Sequence, residues 1–68
     1  MVVEMPEFTA DRVRALRRKL KLTQTEFGKL VGASQQLVAG WETDVIRPGR
    51  YTHVAALLQL EEEALLNA

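Results

Sequence analysis

The sequence predicts an all-α fold, a compact domain of four to five short helices. Three observations predict it. Apolar residues recur three and four apart from Val13 onward, which is the period of a helix face. Thr9, Thr23 and Ser34 each stand just before such a stretch, where a side-chain oxygen can cap a helix N-terminus. Gly32 lies between two of the stretches, where glycine accepts the left-handed conformation that ends many helices.

Residues 1–8 lack a helical period and contain Pro6. They are expected to form an N-terminal arm, with residues 9–68 as one domain. Val2, Val3 and Met5 are apolar enough to pack on a partner chain; a frayed terminus is the plainer reading. The first helix is expected over 10–21. Phe8 before the cap and Val13 at the fourth helical position form a hydrophobic staple, and Asp11 suits the positive end of the helix dipole. Val13, Leu16 and Leu20 line one face, and Arg12, Arg14, Arg17, Arg18, Lys19 and Lys21 cover most of the rest. Cations are favoured in the last turn, which accounts for Arg18, Lys19 and Lys21. Arg17 instead borders the apolar stripe, where a charge needs a partner.

The second helix is expected over 24–31. Thr23 and Glu26 have capping-box spacing, and Leu22 and Phe27 repeat the staple. Phe27, Leu30 and Val31 share a face. Gly28 costs up to about 1 kcal/mol against alanine in mid-helix. Its expected use is the close approach of another helix; a tolerated weak spot is the alternative. The third helix is expected over 35–43, capped by Ser34, with Val38 and Trp41 inward and Gln35, Gln36, Ala39 and Gly40 largely outward. Leu37 lies about 100° from Val38. It can complete the core, meet thymine methyl groups or touch a protein partner. Two helices joined by a short turn containing glycine form the helix-turn-helix pattern.

Residues 44–50 read as a loop, with Pro48 and Gly49 as turn punctuation. Arg47 and Arg50 flank it, near phosphates or simply solvated. Residues 51–67 are helical again, with Val54, Leu57, Leu58 and Leu65 at helical spacing. One long helix is compatible with this stretch, but a break near Leu60 is preferred. Glu61, Glu62 and Glu63 suit the first turn of a new helix.

The formal net charge is zero, yet its distribution is uneven. All nine Lys and Arg lie between Arg12 and Arg50 with only three acids among them, and each tail carries three acids. A basic middle between acidic ends suits a nucleic-acid-facing surface; ordinary charged helix exteriors give a similar count. Cysteine is absent, no run approaches the ~18 apolar residues of a membrane span, and the first residues are too acidic for a signal peptide. A cytoplasmic protein with no membrane partner is expected. Catalysis is not: His53 is the single histidine, Ser34 is better used as a cap, the four glycines are scattered, and consecutive glutamates diverge by about 100°. No cofactor or metal is expected.

From Leu16-Arg17-Arg18-Lys19-Leu20 through Thr23-Gln24-Thr25-Glu26-Phe27-Gly28, Val31-Gly32-Ala33-Ser34 and Trp41-Glu42 to Arg47-Pro48, the chain resembles the lambda-repressor/Cro-like (XRE-type) helix-turn-helix family. The likeness covers roughly residues 9–60. Trp41-Glu42, the Phe8–Arg17 run and Ala55-Ala56-Leu57-Leu58 look most like small bacterial regulators and the DNA-binding parts of antitoxins. The resemblance implies a regulator that binds double-stranded DNA with its third helix in the major groove, acting as a homodimer. The alternative is an interaction module, antitoxin-like, that holds a toxin or other protein through Leu37, Leu60, Leu65 and Leu66. Expected base contacts are Gln35 and Gln36, with Leu37 and Ala39 beside them. Expected phosphate contacts are Gln24, Arg18, Lys21, Lys29, Arg47 and Arg50. The resemblance also implies that Arg17 pairs with Glu42, tying the third helix to the first. Two departures stand out. Thr43 and Asp44 follow Glu42 where the family usually has glycine, and Ala39 and Gly40 stand where many members carry a polar base-reading side chain.

Overall fold

In the computed structural model, which describes residues 8–66, four helices pack around one core. They are α1 (Ala10–Lys19), α2 (Gln24–Val31), α3 (Gln35–Glu42) and α4 (Tyr51–Leu66). The arm residues 1–7 and the end of the chain beyond Leu66 lie outside the described residues.

Local chemistry sets the starts of the first three helices. Thr9, Thr23 and Ser34 have extended backbones, and their hydroxyl oxygens accept the N–H of Arg12, Glu26 and Leu37. At Thr23 the box is reciprocal, because the Glu26 carboxylate accepts the Thr23 N–H at 2.9 Å. The hydrogen bond from the Thr23 backbone holds the Glu26 carboxyl below its ordinary pKa. The staple partners Phe8 and Val13 are both buried, as is Phe27.

The first helix ends two residues earlier than its apolar stripe suggests. Lys21 turns left-handed at φ 58°, donates its N–H to Arg18 O, and lets Leu22 N–H reach Arg17 O. These two bonds form a Schellman stop. A left-handed non-glycine residue is strained by roughly 1–2 kcal/mol. Lys21→Gly is therefore expected to raise stability by about 1 kcal/mol and the melting temperature by about 4–8 °C. Thermal unfolding followed by circular dichroism checks this; no rise would mean that the turn carries no strain. Gly32 at φ 75° ends α2, and Asp44 at φ 61° follows α3, taking the place of the family's glycine.

Phe8, Val13, Leu16, Phe27, Val31, Val38, Trp41, Val54, Leu57 and Ala64 form the core. Two expectations about its membership fail. Leu30 is 56% exposed, so α2 buries Phe27, Gly28 and Val31 instead. On α4 the inward residues are His53, Val54, Leu57 and Ala64, while Leu58 and Leu65, each one 100° step past an inward residue, are 37% and 71% exposed.

The break expected near Leu60 does not occur. No glycine or proline interrupts residues 51–66, and Leu57 and Ala64, seven apart, bury on the same side of one helix. Glu61 sits in mid-helix rather than in a first turn. It receives Nε and Nη2 of Arg12 at 2.7 Å each, fastening α4 to α1. The Arg12 guanidinium also lies 4.2 Å from the centre of the Phe8 ring.

Gly28 serves a close approach. A Cβ built there would lie 2.4 Å from the backbone oxygen of Ala33 and 3.4 Å from Val38 Cγ2. The turn therefore presses directly on α2, and Ala33 N–H closes the contact by donating to Gly28 O at 2.8 Å.

Candidate nucleic-acid interface

The α2–turn–α3 unit offers an exposed helix start whose orientation is fixed from below. Arg17 is the centre of that support. Its Nε and Nη2 donate to the two carboxylate oxygens of Glu42 at 2.6 and 2.9 Å, and its Nη1 donates to Leu22 O at 2.9 Å. The Glu42 side chain is only 5% exposed and that of Arg17 18%. Burial by itself would raise the Glu42 carboxyl. The hydrogen bonds and charge of Arg17, a hydrogen bond from Gln24 and the charge of Arg14 outweigh it and hold the carboxyl below its ordinary range.

The end of α3 is equally well satisfied. Arg14 Nη2 donates to Glu42 O, and Thr43 donates to Ala39 O through both its N–H and its hydroxyl. Val45 and Ile46 N–H converge on Gly40 O. These bonds occupy carbonyls that a helix terminus otherwise leaves open.

At the other end of α3, Gln35 and Gln36 are exposed. Gln35 Nε2 donates to Gln24 Oε1 at 2.7 Å, so the start of α2 orients the first side chain of α3. The second Nε2 hydrogen and the Oε1 lone pairs of Gln35 stay available, which is the donor–acceptor pair that matches N7 and N6 of an adenine. Ala39 is half-buried. Leu37 is also half-buried and packs against the core, so at least part of it completes the interior.

Gly40 is not bare. A Cβ there would meet Ile46 Cγ2 at 3.1 Å, so the missing side chain makes room for the loop. Ile46, Leu37 and Trp41 border a groove of about 260 Å³ with Arg47, Arg50 and His53. Arg18, Lys21, Lys29, Arg47 and Arg50 are all exposed. Arg47 Nε lies 3.4 Å from Asp44 Oδ1, an exposed pair of the kind that contributes little to stability.

Sequence reasoning missed three contributors. His53 is buried, lies 3.2 Å from Gly32 O through Nε2, and meets the Trp41 ring edge-on at 5.3 Å between centroids. Because a carbonyl can only accept, Nε2 carries the hydrogen in that contact. The histidine thus clamps α4 onto the turn between α2 and α3. Arg14 and Ile46 are the other two. A glycine on the outward face of α3, followed by an apolar pair in a polar loop, was the one signal that pointed to Ile46.

Among the described residues, no group of three or more histidines and acids could hold a metal ion, and no helix is long and apolar enough to cross a membrane. A family model described as helix-turn-helix matches residues 13–52. Repressor protein C2 of Salmonella phage P22 is 38% identical over 42 residues, which is 62% of this chain and 19% of the phage protein. The chain thus spans about a fifth of the length of that repressor. No solved structure matches it.

Proposed function

The chain belongs to the lambda-repressor-like helix-turn-helix family, and from that membership we propose that it binds double-stranded DNA sequence-specifically and regulates transcription by doing so. In this reading α3 enters the major groove with its N-terminal end deepest. Gln35 and Gln36 touch base edges, with Leu37 and Ala39 alongside. Gln24, Arg18, Lys21, Lys29, Arg47 and Arg50 supply phosphate contacts, and a homodimer places two such units on neighbouring half-sites. The observation that carries the reading is the 2.7 Å bond from Gln35 Nε2 to Gln24 Oε1. It restrains an exposed amide that an unsupported surface glutamine would leave free to rotate, so less entropy is lost when a base is bound.

Selection from random DNA would supply a preferred site. On that site Gln35→Ala is expected to weaken binding about 5- to 150-fold, the equivalent of one bidentate base contact at about 1–3 kcal/mol. Mixed-sequence DNA should be bound almost as before. Lys29→Ala should weaken both DNAs alike and lower the salt slope by about 1. Titrations at two salt concentrations read all of this. Absence of DNA binding even at low salt would sink the proposal, because phosphate-driven association is strongest there.

A further inference from the structure

The groove between the end of α3, the loop over 44–50 and the start of α4 joins an apolar floor to a cationic rim. Trp41 and His53 are buried in its floor and Leu37 is half-buried beside them. His53 spends its Nε2 hydrogen on Gly32 O, so what it offers the groove is ring surface. Ile46 forms a wall and is 49% exposed. That wall is fixed in place, because Val45 and Ile46 N–H both donate to Gly40 O and Ile46 Cγ2 rests over Gly40. Arg47 and Arg50 stand at the rim, both exposed. Asp44 offsets one of these charges, with Oδ1 3.4 Å from Arg47 Nε, and the rim keeps a positive excess. A DNA phosphate would use the two guanidinium groups and leave the apolar floor beneath them unused.

We propose that this groove binds a small organic anion in which an aromatic ring carries a carboxylate on a short arm. Size, floor and rim each select for that class. A cavity of about 150 Å³ takes one benzene ring. The 260 Å³ here therefore accepts a ring with its arm, and is too small for a helix or strand of another protein. The ring lies against Leu37, Ile46 and the edge of Trp41, in the offset or edge-on contact that aromatic groups favour. The carboxylate meets Arg47 and Arg50, whose guanidinium forks match its two oxygens. A neutral ligand of the same shape leaves both arginines hydrated and gains only the apolar half. Because the Ile46 wall is held before binding, little ordering entropy is lost. A consequence for DNA rests on the proposed function. Anion and phosphate then compete for the same two arginines, so each weakens the binding of the other. The anion site itself does not depend on that reading.

Trp41 is the single tryptophan and lines the groove, so its emission reports occupancy without DNA. Phenylacetate is the probe, and phenylacetamide is its neutral counterpart of equal size. Phenylacetate should change Trp41 emission saturably, with a Kd on the order of 1 mM or tighter for its roughly ten heavy atoms. Phenylacetamide should bind at least about tenfold more weakly, and Arg50→Gln should cost about tenfold in phenylacetate affinity, the effect of one charge-assisted hydrogen bond. Lys19→Gln should cost nothing, since that exposed lysine borders the separate groove between α1 and α4. Circular dichroism checks that each variant is folded, and calorimetry repeats the titrations without relying on emission. The site is overturned by no saturable binding in either measurement, by equal affinity for the amide, or by an Arg50→Gln variant that binds as tightly as the unsubstituted chain. A loss confined to Lys19→Gln also overturns it, because the anion then sits in the other groove. With DNA present, saturating phenylacetate should weaken binding about fivefold or more relative to chloride at the same ionic strength. Unchanged DNA affinity would overturn the competition, whereas a chain that binds phenylacetate and no DNA would overturn only the proposed function.

Discussion

Glu42→Ala is expected to lower stability by about 3 kcal/mol, the lower end of the range for breaking a buried ion pair. The lower end applies because part of the Arg17 side chain still reaches water. The loss has a clear source. Without the carboxylate, Arg17 keeps a single bond to Leu22 O, and two of its donors are left without the partner that now holds them. A domain this small has only about 3–5 kcal/mol in hand, so much of the population should unfold near room temperature. Glu26→Ala is the comparison. That carboxylate is also held below its ordinary pKa, but it lies at the surface and caps a single N–H, so its removal should cost visibly less. Urea titrations of both variants decide the matter, and equal midpoints would contradict the buried-pair account. The same residue governs acid sensitivity. A carboxyl whose folded pKa is depressed contributes stability that is fully present above its unfolded value, ordinarily 4.5, and lost as pH falls through the lower folded value. Glu42→Gln should therefore flatten the acid limb of the stability curve.

Trp41→Ala should remove about 3–5 kcal/mol, enough to abolish the fold at ordinary temperature. Trp41 is the largest fully enclosed side chain apart from its 2% exposed edge, and it receives His53 edge-on. Its loss opens a cavity on the inward face of α3 and frees the His53 clamp on the turn. Trp41→Phe keeps an aromatic partner for His53 and should retain a cooperative transition at a lower midpoint. Leu66→Ala, at an exposed position, should change stability little. Circular dichroism with denaturant titration separates the three. A folded Trp41→Ala variant would show that the core is held chiefly by α1, α2 and α4.

Much of the site was legible because its grammar is local. Thr23, Glu26 and Gly32 fixed α2 to the residue, and Ser34 fixed the start of α3, since each acts on groups three or four positions away. The Arg17–Glu42 pair came from family resemblance. The residues offered only the awkward position of Arg17 beside an apolar stripe, and no spacing rule reaches across the 25 residues between the two. Leu30 shows the limit of periodicity. It has the right phase to be buried, but among the described residues no neighbouring helix covers that flank of α2. Gly40 shows the same limit in reverse. It read as a gap on the outward face of α3, whereas it is a seat for Ile46.

The sequence by itself determined where α1, α2, α3 and α4 begin, the left-handed stop at Gly32 and that the fold is all-α. Caps, staples and left-handed stops are settled between residues at most five apart, so they survive without knowledge of the whole. Only the tertiary structure decided that α4 is continuous, that Arg12 reaches Glu61 across 49 residues, that His53 clamps Gly32 O, and that Ile46 fills the space over Gly40. Those contacts depend on how complete helices lie against one another. That placement follows from filling one shared core, which no single stretch of the chain specifies.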